Sequence, residues 1–147
     1  MEIQVIDEND LEEIAFLYQQ LSKHNSDLGK MKSALRQAVL NSNHILLGAK
    51  VNGRLIGSLA GNICTTLFGK CNPFLVVEDV VVDESERRAG VGKALMIRLE
   101  TIAKKTNCSY IFLLTDSDRP EAHYFYEALG YKSEPYRGYK KILTSNY

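Results

Sequence analysis

A valine-rich run ending in a glycine turn constrains this chain more than any other feature. Phe74 to Asp83 reads Phe-Leu-Val-Val-Glu-Asp-Val-Val-Val-Asp. It is apolar on both faces except at Glu78 and Asp79, the pattern of a strand inside a sheet. The run passes through Glu84-Ser85-Glu86 into Arg87-Arg88-Ala89-Gly90-Val91-Gly92. Gly90 to Lys105 then carries Val91, Ala94, Leu95, Ile97 and Ile102 at helical spacing. Tyr110 to Leu114 follows as an apolar strand expected to be buried on both faces. A strand, a helix and a second strand at this spacing form a parallel unit with a right-handed crossover.

The remaining segments are short and evenly spread. Ile3 to Val5 reads as a first strand. Asp10 is expected to cap a helix, with Glu13 completing the capping pattern. Leu11, Ile14, Leu17, Tyr18 and Leu21 recur as one apolar stripe. Ser22 to Gly29 breaks that helix, and Met31 to Leu40 forms a second, weaker one. His44 to Val51 and Leu55 to Cys64 flank Asn52-Gly53, a dipeptide whose tolerance of positive φ favours a two-residue hairpin. Pro120 to Leu129 is a short helix with Pro at its first turn and Gly130 as its C-cap. Strands are expected from Tyr131 and over Tyr139 to Leu143. The order β-α-α-β-β-β-α-β-α-β-β implies an α/β (α+β) fold. Its mixed, mostly antiparallel sheet would be covered by helices on both faces, with residues 1–147 as a single domain.

Composition removes several functions. The 147 residues carry 18 basic and 18 acidic side chains, a formal net charge of zero. A protein built around nucleic-acid phosphates needs a basic excess, so nucleic acid is not an expected partner. Cys64, Cys71 and Cys108 form no disulfide framework, and no zinc-type spacing occurs, so no metal is expected. Met1 to Asp10 is too acidic for a secretory leader, and no apolar run approaches a membrane span. These points together give the expectation of a reduced, soluble, cytoplasmic protein with no membrane contact.

The turn after the valine run has chemistry of its own. A helix start offers unpaired backbone N–H groups and the positive end of a dipole, and glycine lets a phosphate come close. Arg87, Arg88 and Lys93 add positive charge. The spacing is neither a Walker loop nor the dinucleotide-binding Gly-x-Gly-x-x-Gly. Arg87-Arg88-Ala89-Gly90-Val91-Gly92 resembles the acetyl-CoA signature Arg/Gln-x-x-Gly-x-Gly/Ala of the GNAT superfamily of N-acetyltransferases. The resemblance implies that Arg87, Arg88, Ala89, Gly90, Val91, Gly92 and Lys93 cradle the coenzyme pyrophosphate. It implies that Val80, Val81 and Val82 bind the pantetheine arm through their backbones. It also implies that this strand splays from its parallel neighbour at a bulge, leaving a gap for the thioester.

A second stretch, Ala122-His123-Tyr124-Phe125-Tyr126-Glu127-Ala128-Leu129-Gly130-Tyr131, is similar to the family's Ala-x-x-Phe-Tyr-x-x-x-Gly-Phe/Tyr helix. By that resemblance Tyr126 protonates the leaving thiolate, a sensible use of a phenol. Phe125 and Tyr131 are read as packing residues, and His123 has no general role in the motif. The Asn that often precedes this helix in the family is missing from Thr115 to Pro120, where Ser117 or Arg119 could substitute.

An ammonium acceptor must lose a proton, and a carboxylate in an apolar strand is costly unless paired or functional. Strict alternation sends Glu78 and Asp79 to opposite faces, with Glu78 beside Val80 and Val82. Glu78 is therefore the candidate base. Val77 to Val82 and Ala103 to Cys108 are also similar to glucosamine-phosphate N-acetyltransferases. The acceptor itself stays open, a small-molecule or peptide amine. A non-catalytic acyl-CoA sensor of the same fold, or a transferase of a larger acyl group, is the alternative. Tyr136, Tyr139 and Tyr147 would suit the edge of a homodimer.

Overall fold

The turn at Asn52-Gly53 forms as its sequence requires. In the computed structural model, which describes residues 1–144, both take positive φ, 51° and 82°. They join β2 (His44–Val51) to β3 (Arg54–Cys64). β1 (Glu2–Val5) pairs antiparallel with β2, and β4 (Phe74–Val82) antiparallel with β3. β5 (Ile111–Leu113) lies parallel to β4, giving a sheet in the order β1-β2-β3-β4-β5. The sheet belongs to a first unit, Met1–Leu113, with helices α1 (Leu11–Ser22), α2 (Leu28–Ala38) and α3 (Val91–Lys105). A second unit begins at Leu114 and contains α4 (Pro120–Ala128).

Each sheet face is buried by a different helix. Leu11, Ile14 and Leu17 of α1 join Ile6, Leu35, Leu55 and Val81 in one core cluster, and Tyr18, Leu21, Met31 and Leu46 pack against it. α3 covers the opposite face with Val91, Leu95 and Leu99. That helix comes close because β3 carries glycine beneath it. A Cβ on Gly57 would lie 3.0 Å from Val91 Cγ1 and 3.0 Å from the Val81 carbonyl, and one on Gly61 would lie 2.8 Å from Leu99 Cδ1.

Four expectations are corrected. Asp10 does not cap α1: a short 3-10 turn, Glu8–Asp10, intervenes, and Asp7 caps it by accepting from Asn9 N at 2.7 Å. The Asp10 carboxylate accepts from Asp7 N at 3.1 Å and pairs with Lys50, while Glu13 accepts from Leu55 N at 3.0 Å. α2 starts earlier than expected, because Asp27 caps it through Lys30 N at 3.0 Å, and it stops at Ala38. β5 is an edge strand of three residues, so Phe112 is 43% exposed instead of buried. Among the described residues none from Tyr131 to Thr144 forms a strand. Pro135 lacks a ladder donor, and Tyr136 N bonds back to Ser133 O at 2.9 Å, closing a turn where pairing was expected. Tyr136 and Tyr139 are exposed, and Tyr147 lies outside the described residues.

Candidate active site

β4 changes character at its middle. Ala60 pairs with Glu78 but Ser58 pairs with Val81, so Asp79 and Val80 together oppose Leu59. This is a β-bulge, and Asp79 takes φ of 53°, a left-handed conformation that Asp tolerates better than most residues. The bulge overturns the expectation from strict alternation. Register places Glu78 on the face of Ala60, Ser58 and Val81, while Val82 shares the opposite face with Gly57. Parallel pairing with β5 covers Leu75, Val76 and Val77 and ends one residue before Glu78. From Glu78 to Val82 one edge of the strand therefore has no ladder partner among the described residues. Backbone N–H and C=O groups in that state need water or a ligand.

The strand feeds a turn fixed from behind. Asp83 is buried and caps the turn Glu84–Glu86, accepting from Ser85 N at 3.0 Å and Ser85 Oγ at 2.8 Å. Those bonds, helped by the Arg54 charge, hold its carboxyl below the usual carboxylate range. Arg54 reaches Asp83 at 3.4 Å and Glu86 at 2.7 Å. Arg88 and Gly90 both take left-handed φ, 67° and 83°. A Cβ on Gly90 would meet nothing within 4 Å, so glycine is needed there for conformation and the space above it is open. The first bond of α3 runs from Ala94 N to Gly90 O at 3.0 Å. The N–H groups of Val91, Gly92 and Lys93 precede it and have no helical acceptor. Arg87 leans on Glu84 at 3.5 Å; Arg88 and Lys93 are exposed and make no ion pair among the described residues.

Beside the bulge lies a polar group that the sequence did not reveal. Burial first, and the Glu78 charge second, raise the Asp79 pKa above its ordinary value. Glu78 and Asp79 both keep exposed surface, so the desolvation felt at the Asp79 carboxyl is partial. Tyr18 of α1 is half-buried, and burial followed by the Asp79 charge pushes its pKa up to about 12, with the Ser58 hydroxyl exerting a smaller pull the other way. Ser58 is fully buried, and its hydroxyl lies near enough to the Tyr18 phenol to act on that proton, though outside strict hydrogen-bond geometry. Tyr18 had been assigned to the apolar stripe. Ser58 carries no sequence signal, because a small polar residue in a strand is unremarkable without its neighbours.

In the second unit, α4 ends in a Schellman-type cap, with Tyr131 N bonded to Tyr126 O at 3.1 Å and Gly130 N to Glu127 O at 2.9 Å. Tyr126 sits edge-on to Phe125, centroids 5.0 Å apart, and to Tyr131 at 6.0 Å, so both neighbours pack as expected. Burial raises the Tyr126 pKa, and the Arg119 charge opposes that. The phenol is therefore protonated through neutral pH and able to donate. His123 Nε2 lies 2.9 Å from Asp116 O, a contact that ties the preceding loop to α4. Ser117 is exposed and Arg119 half-buried. Among the described residues no His, Cys, Asp and Glu group could hold a metal ion, and no helix is long and apolar enough to cross a membrane.

Comparison with known proteins bears on these features. Residues 9–131 match the Acetyltransferase (GNAT) family. Over 81 residues the chain is 37% identical to a glucosamine 6-phosphate N-acetyltransferase of Trypanosoma brucei brucei, covering 55% of this chain and 53% of that protein. The chain thus matches about half the length of that relative. Among solved structures, a Trypanosoma brucei acetyltransferase superposes with a TM-score of 0.77 at 26% identity, over 96% of this chain and 99% of the other. The glucosamine-6-phosphate N-acetyltransferase of Arabidopsis thaliana gives 0.76 at 21% identity, over 99% and 97%.

Proposed function

Since this chain belongs to the acetyltransferase (GNAT) family, we propose that it moves the acetyl group of acetyl-CoA to a primary amine by direct attack. The observation that carries the proposal is the half-strand Glu78–Val82, without a ladder partner on one edge among the described residues and running into the Arg87–Lys93 turn. These residues fit the coenzyme. Main-chain groups of Val80, Val81 and Val82 suit the pantetheine amides and the thioester carbonyl. The N–H groups of Val91, Gly92 and Lys93, the open space above Gly90, and the charges of Arg87, Arg88 and Lys93 suit the pyrophosphate. Arg119 and Ser117 are assigned to the remaining coenzyme contacts. The similarity to a glucosamine 6-phosphate N-acetyltransferase supports an amino-sugar acceptor.

In this reading Glu78 takes the proton of the ammonium acceptor, directly or through water. The freed amine attacks, a C–N bond forms and the C–S bond breaks. Tyr126 gives its proton to the departing sulfur, and the proton shed by the new amide restores it through solvent. The coenzyme supplies the activated acyl carbon; the protein supplies position and protons.

The first test is thermal stability with acetyl-CoA, CoA and ATP. At about 100 times the dissociation constant a ligand adds roughly 2.7 kcal/mol. Acetyl-CoA and CoA should both raise Tm by several degrees and ATP should not. No shift with either coenzyme sinks the proposal. Glu78→Gln separates the two carboxylates. If Glu78 is the base, the acidic limb of the rate–pH profile flattens. If Asp79 is the base, the limb persists and moves to lower pH, because the Glu78 charge that raises the Asp79 pKa is gone.

A further inference from the structure

We propose that one end of the sheet in the first unit docks on an anionic lipid bilayer, with Leu67 and Phe68 entering its apolar boundary and Lys70, Lys104 and Lys105 meeting the headgroups. Such docking goes beyond acetyl transfer and does not depend on it. It departs from the sequence expectation of no membrane contact. That expectation rested on the lack of a spanning run, and lying on a bilayer needs no spanning helix.

Three connections meet at this end. β2 begins beside the end of β3, with His44 opposite Asn62 and Ile63 N donating to Asn43 O at 2.8 Å. β3 ends beside the start of β4, with Cys64 opposite Phe74. The link from α3 to β5 lies against the same start. Ser109 N donates to Pro73 O at 2.8 Å, and the Tyr110 ring stacks on Phe74 with centroids 5.1 Å apart. The tip between β3 and β4 is shaped by its own bonds. Phe68 N donates to Thr66 Oγ1 at 3.1 Å, Cys71 N donates to Phe68 O at 3.0 Å, and Gly69 takes a φ of 60°. Leu67 and Phe68 stand on that tip and face solvent.

Two properties of this end select a lipid surface. Among the described residues the three most exposed large apolar side chains are Leu67 at 91%, Phe68 at 88% and Leu40 at 87%, and all three sit on these connections. A leucine beside a phenylalanine on a bare tip forgoes burial that a bilayer supplies. The charge is one-sided as well. Residues 39–43, 65–73 and 104–110 contain three lysines and no carboxylate, in a chain of zero net charge. Lys70, Lys104 and Lys105 are exposed and make no ion pair among the described residues. The opposite end of the sheet instead mixes Asp83, Glu84 and Glu86 with Arg54 and Arg87. Lysines without acids are drawn to an anionic surface. A protein partner would need a pocket cut to the protruding tip, whereas fluid lipid closes around a tip of any shape. β4 runs 9 residues from this end toward the glycine turn, roughly 30 Å at about 3.3 Å per residue, so the docked protein keeps that turn in water.

The test sediments the full chain with phosphatidylcholine vesicles, with and without phosphatidylserine, at low and at high salt. The wild type should bind the anionic vesicles at low salt, leave them at high salt, and bind the neutral ones at least about tenfold more weakly. Leu67→Ser combined with Phe68→Ser should cut binding to the anionic vesicles about tenfold or more. Lys70→Gln combined with Lys104→Gln and Lys105→Gln should do the same. All five side chains are exposed, so both variants should keep the wild-type Tm. A wild type that ignores anionic vesicles overturns the proposal, and so does undiminished binding by either variant. A wild type that elutes as a dimer while the serine variant elutes as a monomer assigns the tip to a second copy of the chain. Retention on duplex DNA in place of vesicles assigns the lysines to nucleic acid. Either of these results overturns the bilayer as the partner.

Discussion

Replacing Tyr126 by phenylalanine should lower kcat by about 10²-fold or more while changing the KM for acetyl-CoA little. General-acid assistance is worth roughly 10²–10⁴-fold, and the substitution removes one oxygen without altering the ring. Tyr126 touches Phe125 and Tyr131 through its ring, so the phenylalanine variant keeps that packing and its Tm should stay close to the wild type. Burial keeps the phenol protonated through neutral pH, so the loss should be nearly the same from pH 6 to 8. Steady-state kinetics with saturating acceptor would check this. A variant that retains wild-type kcat shows that the sulfur departs without Tyr126.

Gly57→Val should cost about 1–3 kcal/mol or more and weaken coenzyme binding beyond what lost stability explains. The new side chain would meet the Val81 carbonyl on one side and Val91 on the other. A carbonyl in a ladder cannot step aside, so α3 must lift. Val91 opens that helix, and the pyrophosphate would rest on the same turn. Gly61→Ala is the control. Its Cβ meets the end of the Leu99 side chain, which can shift rotamer, and the site lies further along α3. Thermal denaturation with and without CoA measures both parts. Equal CoA affinity in the two variants would mean that the helix start does not depend on its seat over Gly57.

Periodicity carried most of the fold wherever a helix buries one stripe, as α1 does, and a strand follows the pleat. The stripe Leu11, Ile14, Leu17 is in the core, Asn52-Gly53 turns the chain, and Gly90 opens α3. The failures share a cause, which is that a distant partner decided the outcome. Asp10 and Glu13 look like a capping pair, but Lys50 and the Leu55 amide claim them. Tyr110 to Leu114 is apolar enough for a central strand, but topology leaves β5 at an edge. The bulge at Asp79 has no signal in a run of valines, and one extra residue was enough to send the wrong neighbours to Glu78. The glycine turn and the end of α4 were legible because left-handed backbone at Gly90 and Gly130 calls for glycine at fixed places. Ser58 and Tyr18 were not, since their polarity matters only once they meet.

The strand beyond Val77 also says something about which sequences this site can tolerate. An amide edge waiting for a partner is the same edge whether the side chain behind it is valine, isoleucine or threonine. If that edge holds a ligand, it writes almost nothing into the residue identities of Val80 to Val82, apart from barring proline, which has no N–H to offer. Drift can therefore replace most letters of that segment while the edge itself persists, and a search that compares letters alone will pass over it.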